Sequence, residues 1–435
     1  MATCIEITSK EMIKPSSPTP PHLRNHKLFL MDQTMPRCYI SLIFFFQYDD
    51  DSSISEKSQQ FKESLSRTLT LFYPLAGRIR RNNLSVDCND EGVEVVHAFV
   101  HTQLANVLKE PKMNELKNLV PEQAQEIGCD IPLAMQINFF DCGGIAIGVC
   151  MSHEVADVKS LAIFMHAWAA TCRGGEEIAP PVYGAAPYPP LDLSKTSFTT
   201  DLNLSNKEKL TAKRIVFEKE KLDKLKEIAS RVELKNPSRV EVVSASIWKY
   251  FIGQSKNQGN MFCSYHAIDL RPRMSKPITQ NAFGNIVSSV VVAMLMPGDD
   301  KSFSNLVGKY KEAVKTVDGD FYLRNAEKGD YQEILDGLEK FVELVTKEGV
   351  EMFYFSSWRF PWYELNFGWG KPIYVCPGVY PLKNVVILMS SRCGEGVEAW
   401  INMLESDEFN EQSFYMDLDK FLVESQVSTL ADELN

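Results

Sequence analysis

Hydrophobic and polar positions along the chain change period several times, and each change predicts an element. Residues 39–48, YISLIFFFQY, form a short apolar run rich in aromatic and β-branched side chains, which predicts a buried strand too brief to cross a bilayer. Ser53 and Glu56 then stand at capping-box spacing, and Phe61, Leu65, Leu69 and Phe72 recur at helical intervals until Pro74. This predicts a core-facing helix ending in the turn YPLAGR, residues 73–78. Segments 134–141 (AMQINFFD) and 145–152 (IAIGVCMS) flank Cys142, Gly143 and Gly144 and read as a hairpin. Directly after it, Val158, Leu161, Ala162, Met165, Trp168, Ala169 and Cys172 mark one face of a helix, so His153 falls at a strand-to-helix junction.

Between 173 and 210 both periods dissolve into a stretch dense in Pro, Gly, Ser and Thr, which reads as a crossover. Beyond it, Leu222, Leu225, Ile228, Ala229 and Val232 restart a helix. Strand-like runs at 261–269, 286–296 and 351–357 then alternate with helical patterns near 240–251, 303–318 and 335–346. A final hairpin at 385–404 echoes the one in the first half. The order predicts an α/β protein of two similar mixed-sheet lobes, 1–173 and 211–435, joined by the crossover 174–210. A length of 435 residues exceeds what one hydrophobic core usually organises and agrees with that division.

Charge narrows the partners. A net charge of −11 without any dense Lys/Arg run repels a phosphate backbone and argues against nucleic acid. Residues 1–27 contain no continuous apolar segment, so neither a signal peptide nor a membrane span is expected, and the cytosol is the expected address. The ten cysteines include no CxxC pair and no zinc-spaced cluster, which predicts reduced thiols, mostly buried, and no metal site.

Candidate chemistry centres on His153 and Asp157 in HEVAD, since an imidazole at a sheet rim can take a proton near neutral pH. Spacing alone favours a capping or packing histidine among the seven present. Rival signatures (GxSxG, a P-loop, GxGxxG opening a helix, HExxH) are missing from the sequence. His97, His101 and His266 lie in strand-like segments without ligand-spaced partners, and His166 falls off the apolar face of its helix and reads as a surface residue. The aromatic segment FSSWRFPWYEL runs into NFGWGKP at 366–372, which reads as packing because nothing in it titrates usefully.

Taken together, HxxxD in mid-chain and FGWG near the C-terminal end resemble the BAHD acyltransferase family of plants. The likeness extends to ITSKEMIKPSSPTP (7–20), YPLAGR, VDCNDEGV (86–93), LRPRM (270–274) and FGN (283–285), so it runs over essentially the whole chain and is nearest to the alkaloid-acylating branch. The resemblance implies two chloramphenicol acetyltransferase-like lobes with a channel between them. It implies a monomer without a resident cofactor, using acyl-CoA, expected to be acetyl-CoA, and a small-molecule alcohol such as an alkaloid. It makes His153 the general base and Asp157 the partner of Arg271, and it brings Trp358 or Ser356 to the developing oxyanion. It further implies Ser244, Gly284 and Asn285 as CoA contacts, and gives Asn366, Gly368 and Gly370 a structural role. The family motif begins with aspartate where this chain has Asn366, which admits a specialised member that binds a metabolite or runs a lyase or cyclisation reaction instead.

Overall fold

A computed structural model describes the chain outside residues 1–3, 48–53, 123–127, 176–177, 185–208, 231–235, 257–260, 276–277, 379, 408 and 434–435. Ser53, Val232 and most of the expected crossover therefore lie outside the described residues.

The first sheet has six strands in the order Ile5–Ile13, Val93–Val100, Leu133–Phe140, Ile145–Ser152, Tyr39–Phe46 and Tyr374–Pro377. Every residue of Tyr39–Phe46, Leu133–Phe140 and Ile145–Ser152 is buried, which is why these segments read as apolar runs rather than as alternating ones. The helices Ile54–Leu71 and Val158–Cys172 pack on each other beside this sheet. Trp168 Nε1 donates to Ser64 Oγ at 3.1 Å between them, and the ring of Phe61 meets that of Trp168 at 5.6 Å. An indole buried between two helices needs a partner for its N–H, and Ser64 supplies it.

The second sheet, also six-stranded, runs Leu210–Phe217, Val397–Leu404, Val385–Ser390, Val350–Ser357, Met261–Asp269 and Val287–Leu295. Both sheets mix parallel and antiparallel pairs. The helices Lys219–Ser230, Arg239–Gln254 and Phe303–Lys315 contact one another beside the second sheet. In the second half of the chain, two helices have no counterpart among the expected elements, Phe321–Lys328 and Glu411–Glu433. Among the described residues, no helix is long and apolar enough to cross a membrane.

Strand pairing is one of the ties between the halves. The strand Tyr374–Pro377, late in the chain, pairs antiparallel with Tyr39–Phe46, and Trp358, Trp362, Leu365 and Phe367 join the same buried cluster as the first sheet. The segment 366–377, which the expected division assigns to the C-terminal lobe, thus lies against the N-terminal one. The short strand Val182–Tyr183 pairs with Ala282–Phe283, just ahead of Gly284 and Asn285.

Candidate active site

The HxxxD spacing has a local cause. The strand Ile145–Ser152 ends at His153, whose backbone N–H donates to Cys38 O at 2.9 Å and extends the pairing with Tyr39–Phe46. Asp157 is the N-cap of the Val158–Cys172 helix, its carboxylate accepting from Ser160 N at 2.8 Å. Three intervening residues are thus the turn between a strand end and a cap. A carboxylate there also complements the positive end of the helix dipole.

Asp157 is held further by Arg271, with Nη1 to Oδ2 at 2.8 Å and Nη2 to Oδ1 at 3.1 Å, and by the backbone N–H of Ile286 at 3.0 Å. Burial pushes its carboxyl upward, but the guanidinium and the backbone donors more than reverse this and hold it below the usual carboxylate range. Arg271 spends its remaining hydrogens on Asp269 Oδ1, Ser160 Oγ and the carbonyls of Ala282 and Gly284. Gly284, at φ +129°, takes a conformation that side-chain-bearing residues rarely adopt and presents both its N–H and its carbonyl to Ser160 Oγ.

Asn285 fixes the imidazole. Its Nδ2 donates to the His153 carbonyl at 2.8 Å and to Asp32 Oδ1 at 2.9 Å, while its Oδ1 faces His153 Nδ1 at 3.2 Å. An amide oxygen can only accept, so Nδ1 carries the proton and Nε2 is left with the lone pair. Burial lowers the affinity of His153 for a second proton, more than the neighbouring Asp157 charge and hydrogen bonds raise it, and this keeps the ring neutral near physiological pH. Glu154, next in sequence, points the other way into a fork from Arg81, Nε to Oε1 at 3.0 Å and Nη2 to Oε2 at 2.6 Å.

The remaining candidates divide. His153, Asp157, Arg271, Gly284 and Asn285 form one hydrogen-bonded cluster. Trp358 is buried and its indole N–H donates to Ser356 Oγ at 2.9 Å, so that proton is engaged and the Ser356 hydroxyl hydrogen is the one left to give. Trp358 reaches the His153 loop through Tyr380, whose ring lies 6.4 Å away and whose hydroxyl is hydrogen-bonded to the Cys38 thiol. Ser244 is buried on the Arg239–Gln254 helix with its hydroxyl unpartnered among the described residues, outside the hydrogen-bonded cluster. Asn366 Oδ1 accepts from Gly368 N at 2.8 Å, and Arg173, at the end of the Val158–Cys172 helix, donates to the Asn366 carbonyl. Gly368 and Gly370, at φ +113° and +120°, let the chain turn so that Phe367 meets Trp168 at 4.8 Å and Trp369 meets Phe61 at 5.0 Å.

Sequence patterns missed Asp32, Ser160, Arg81 and Tyr380 as parts of this assembly. Only Asp32 carried a signal, a lone acid in the apolar stretch LFLMDQTM. His166 is not a surface residue: it is half-buried, and burial lowers its basicity.

A family model described as "Transferase family" matches residues 3–412. The chain belongs to the BAHD acyltransferases. This BAHD protein is 42% identical over 428 residues to stemmadenine O-acetyltransferase of Catharanthus roseus, covering 94% of this chain and 96% of that protein. It is 30% identical to salutaridinol 7-O-acetyltransferase of Papaver somniferum, covering 93% and 96%. Its fold matches the crystal structure of vinorine synthase with a TM-score of 0.82 at 39% identity, covering 94% of this chain and 96% of that one. It stands in the alkaloid acetyltransferase branch, and it is an acyltransferase.

Proposed function

We propose that this BAHD enzyme transfers an acetyl group from acetyl-CoA to a hydroxyl of an alkaloid, with His153 as general base. The observation that carries the reading is the Asn285 carbonyl on His153 Nδ1, because it leaves Nε2 as the basic nitrogen of a neutral, half-buried imidazole. Nε2 takes the proton of the acceptor hydroxyl as its oxygen adds to the thioester carbonyl. The resulting oxyanion is stabilised by the Ser356 hydroxyl, which Trp358 Nε1 polarises from behind. Collapse breaks the C–S bond, and the imidazolium returns its proton to the CoA sulfur, so no acyl-enzyme forms. Holding both substrates in one channel supplies roughly 7–11 kcal/mol of the barrier.

Asp157 acts at one remove, fixing the loop against Arg271. Gly284, with open space where a side chain would stand, is one contact for CoA and Ser244 a second. The NFGWG segment, Asn366 included, buttresses the helix behind His153. The enzyme works as a cytosolic monomer whose lobes divide at 1–173, 174–210 and 211–435, the last lending Tyr374–Pro377 to the first sheet.

The test is thiol release from acetyl-CoA, with malonyl-CoA and longer donors as controls, over a panel of alkaloid alcohols, comparing the wild type with His153→Ala. Release that disappears in the variant supports the assignment. A metabolite that is bound or rearranged with no thiol release from any donor would replace it with the binding or lyase alternative.

A further inference from the structure

We propose that Asp32, in its ionised form, is a positioning residue that decides which imidazole nitrogen of His153 is the base, acting through the side-chain amide of Asn285. The inference rests on the reading of His153 as general base, and it concerns a residue that never touches the reacting atoms.

The Asn285 amide has two hydrogens on Nδ2, and both are committed, one to Asp32 Oδ1 at 2.9 Å and one to the His153 carbonyl at 2.8 Å. That commitment turns Oδ1 toward Nδ1 of His153. In the opposite orientation, Nδ2 would face Nδ1, which would then have to accept, and the ring proton would move to Nε2 and abolish the base. The same turn would set the amide oxygen against the Asp32 carboxylate and the His153 carbonyl. An ionised Asp32 makes that arrangement repulsive. A protonated Asp32 can donate to an amide oxygen and so removes much of the preference.

The surroundings make Asp32 dependent on Asn285. It sits on the short helix Leu30–Thr34, 6% exposed. Its second oxygen accepts from Phe29 N at 2.7 Å, and Oδ1 also faces Asn285 N at 3.4 Å. No cation is paired with it among the described residues. The titratable and charged groups around it are His153 and Asp157 on the loop, Arg271, which is engaged by Asp157 and Asp269, and Tyr322, packed on the cluster that holds Met31 and Met35. Burial, reinforced by the Asp157 charge, pushes the Asp32 carboxyl up to about 7 against the opposing hydrogen bonds. Its charge is present above that pH and lost below it, so the working tautomer is held on the alkaline side and released on the acid side.

Nitrogen-15 NMR of histidine-labelled enzyme reads the tautomer without substrate, with the His153 signal identified by its loss in His153→Ala. Wild type should show a single form with Nε2 unprotonated above pH 7, giving way to mixed tautomers as pH falls through about 7. Asp32→Asn should show mixed tautomers on both sides of that pH. In kcat against pH, wild type should lose activity with two protonations, and Asp32→Asn with only one. The variant's plateau should fall roughly tenfold, the loss expected for one charge-assisted hydrogen bond. Unchanged tautomers in the variant, or superimposable acid limbs, would overturn the proposal. If Asp32→Asn does not fold, the wild-type NMR titration decides alone, and a tautomer indifferent to pH overturns it. A switching tautomer in a protein that transfers no acyl group would refute the proposed reaction and leave Asp32's role standing.

Discussion

The loop carrying His153 is held from two sides by arginine–carboxylate pairs, Arg271–Asp157 and Arg81–Glu154, and they differ in almost everything but chemistry. In the first pair both side chains are nearly sealed from solvent, at 6% and 8% exposure, whereas Arg81 in the second is 27% exposed. Arg271 comes 114 residues after Asp157, from the other half of the chain; Arg81 comes 73 residues before Glu154, in the same half. Arg271 also gathers two carbonyls and the Ser160 hydroxyl, whereas Arg81 adds the Cys129 carbonyl. A sealed pair cannot lose one member without stranding a charge, whereas a half-open pair lets water take over. The first therefore fixes geometry between the two halves, and the second trims the loop locally.

His153→Ala removes what both pairs serve and should lower kcat/KM by roughly 10²–10⁴ while leaving thermal unfolding nearly unchanged, which steady-state kinetics and calorimetry check together. Asp157→Ala leaves Arg271 with Asp269 alone as a carboxylate partner among the described residues, removes a helix cap, and should cost about 3–5 kcal/mol in chemical denaturation as well as most of the activity. Stability equal to wild type would show that the pair does not join the halves. Glu154→Gln should cost about 1 kcal/mol or less, with kcat within a few-fold of wild type. If it matched Asp157→Ala in both measurements, the distinction between sealed and open pairs would fail. Asn366→Asp is the smallest change, within about 0.5 kcal/mol and near-neutral in rate, because either side chain accepts from Gly368 N.

Acidity sharpens the same contrast. The Asp157 carboxyl is held below its ordinary 3.8, so the stability it lends is present above that value and lost only as pH falls through its lower folded one. Asp32 titrates at higher pH, near 7, while burial lowers the basicity of His153. Activity should therefore fade reversibly on the acid side of neutrality while near-ultraviolet circular dichroism still reports the native fold.

Apolar runs made the strands legible, because Tyr39–Phe46 and Ile145–Ser152 are buried along their whole length, and one small serine in each does not interrupt the pattern. His153 and Asp157 were legible because a strand end and a helix cap must sit a fixed few residues apart. The resemblance makes Asn285 a CoA contact; that its amide is also engaged by His153 and Asp32 is not legible, since nothing in FGN states that a histidine 132 residues earlier lies against it. Asp32 was not read at all: partners 253 residues apart leave no local period. The helix Phe321–Lys328 escaped because its eight residues bury little apolar surface to set a rhythm.

The strand Tyr374–Pro377 has a consequence for how the protein is made. During synthesis from the N-terminus, the ribosome must pass residue 377 before the first sheet can gain its last strand, so Tyr39–Phe46 waits with one edge unpaired through most of translation. That waiting edge, YISLIFFF, combines high β-propensity with no charge, the composition that recruits other chains. A chain cut short before residue 374 should therefore aggregate rather than yield an isolated first lobe, and a chaperone that shields nascent aromatic strands should raise the yield of the full-length enzyme.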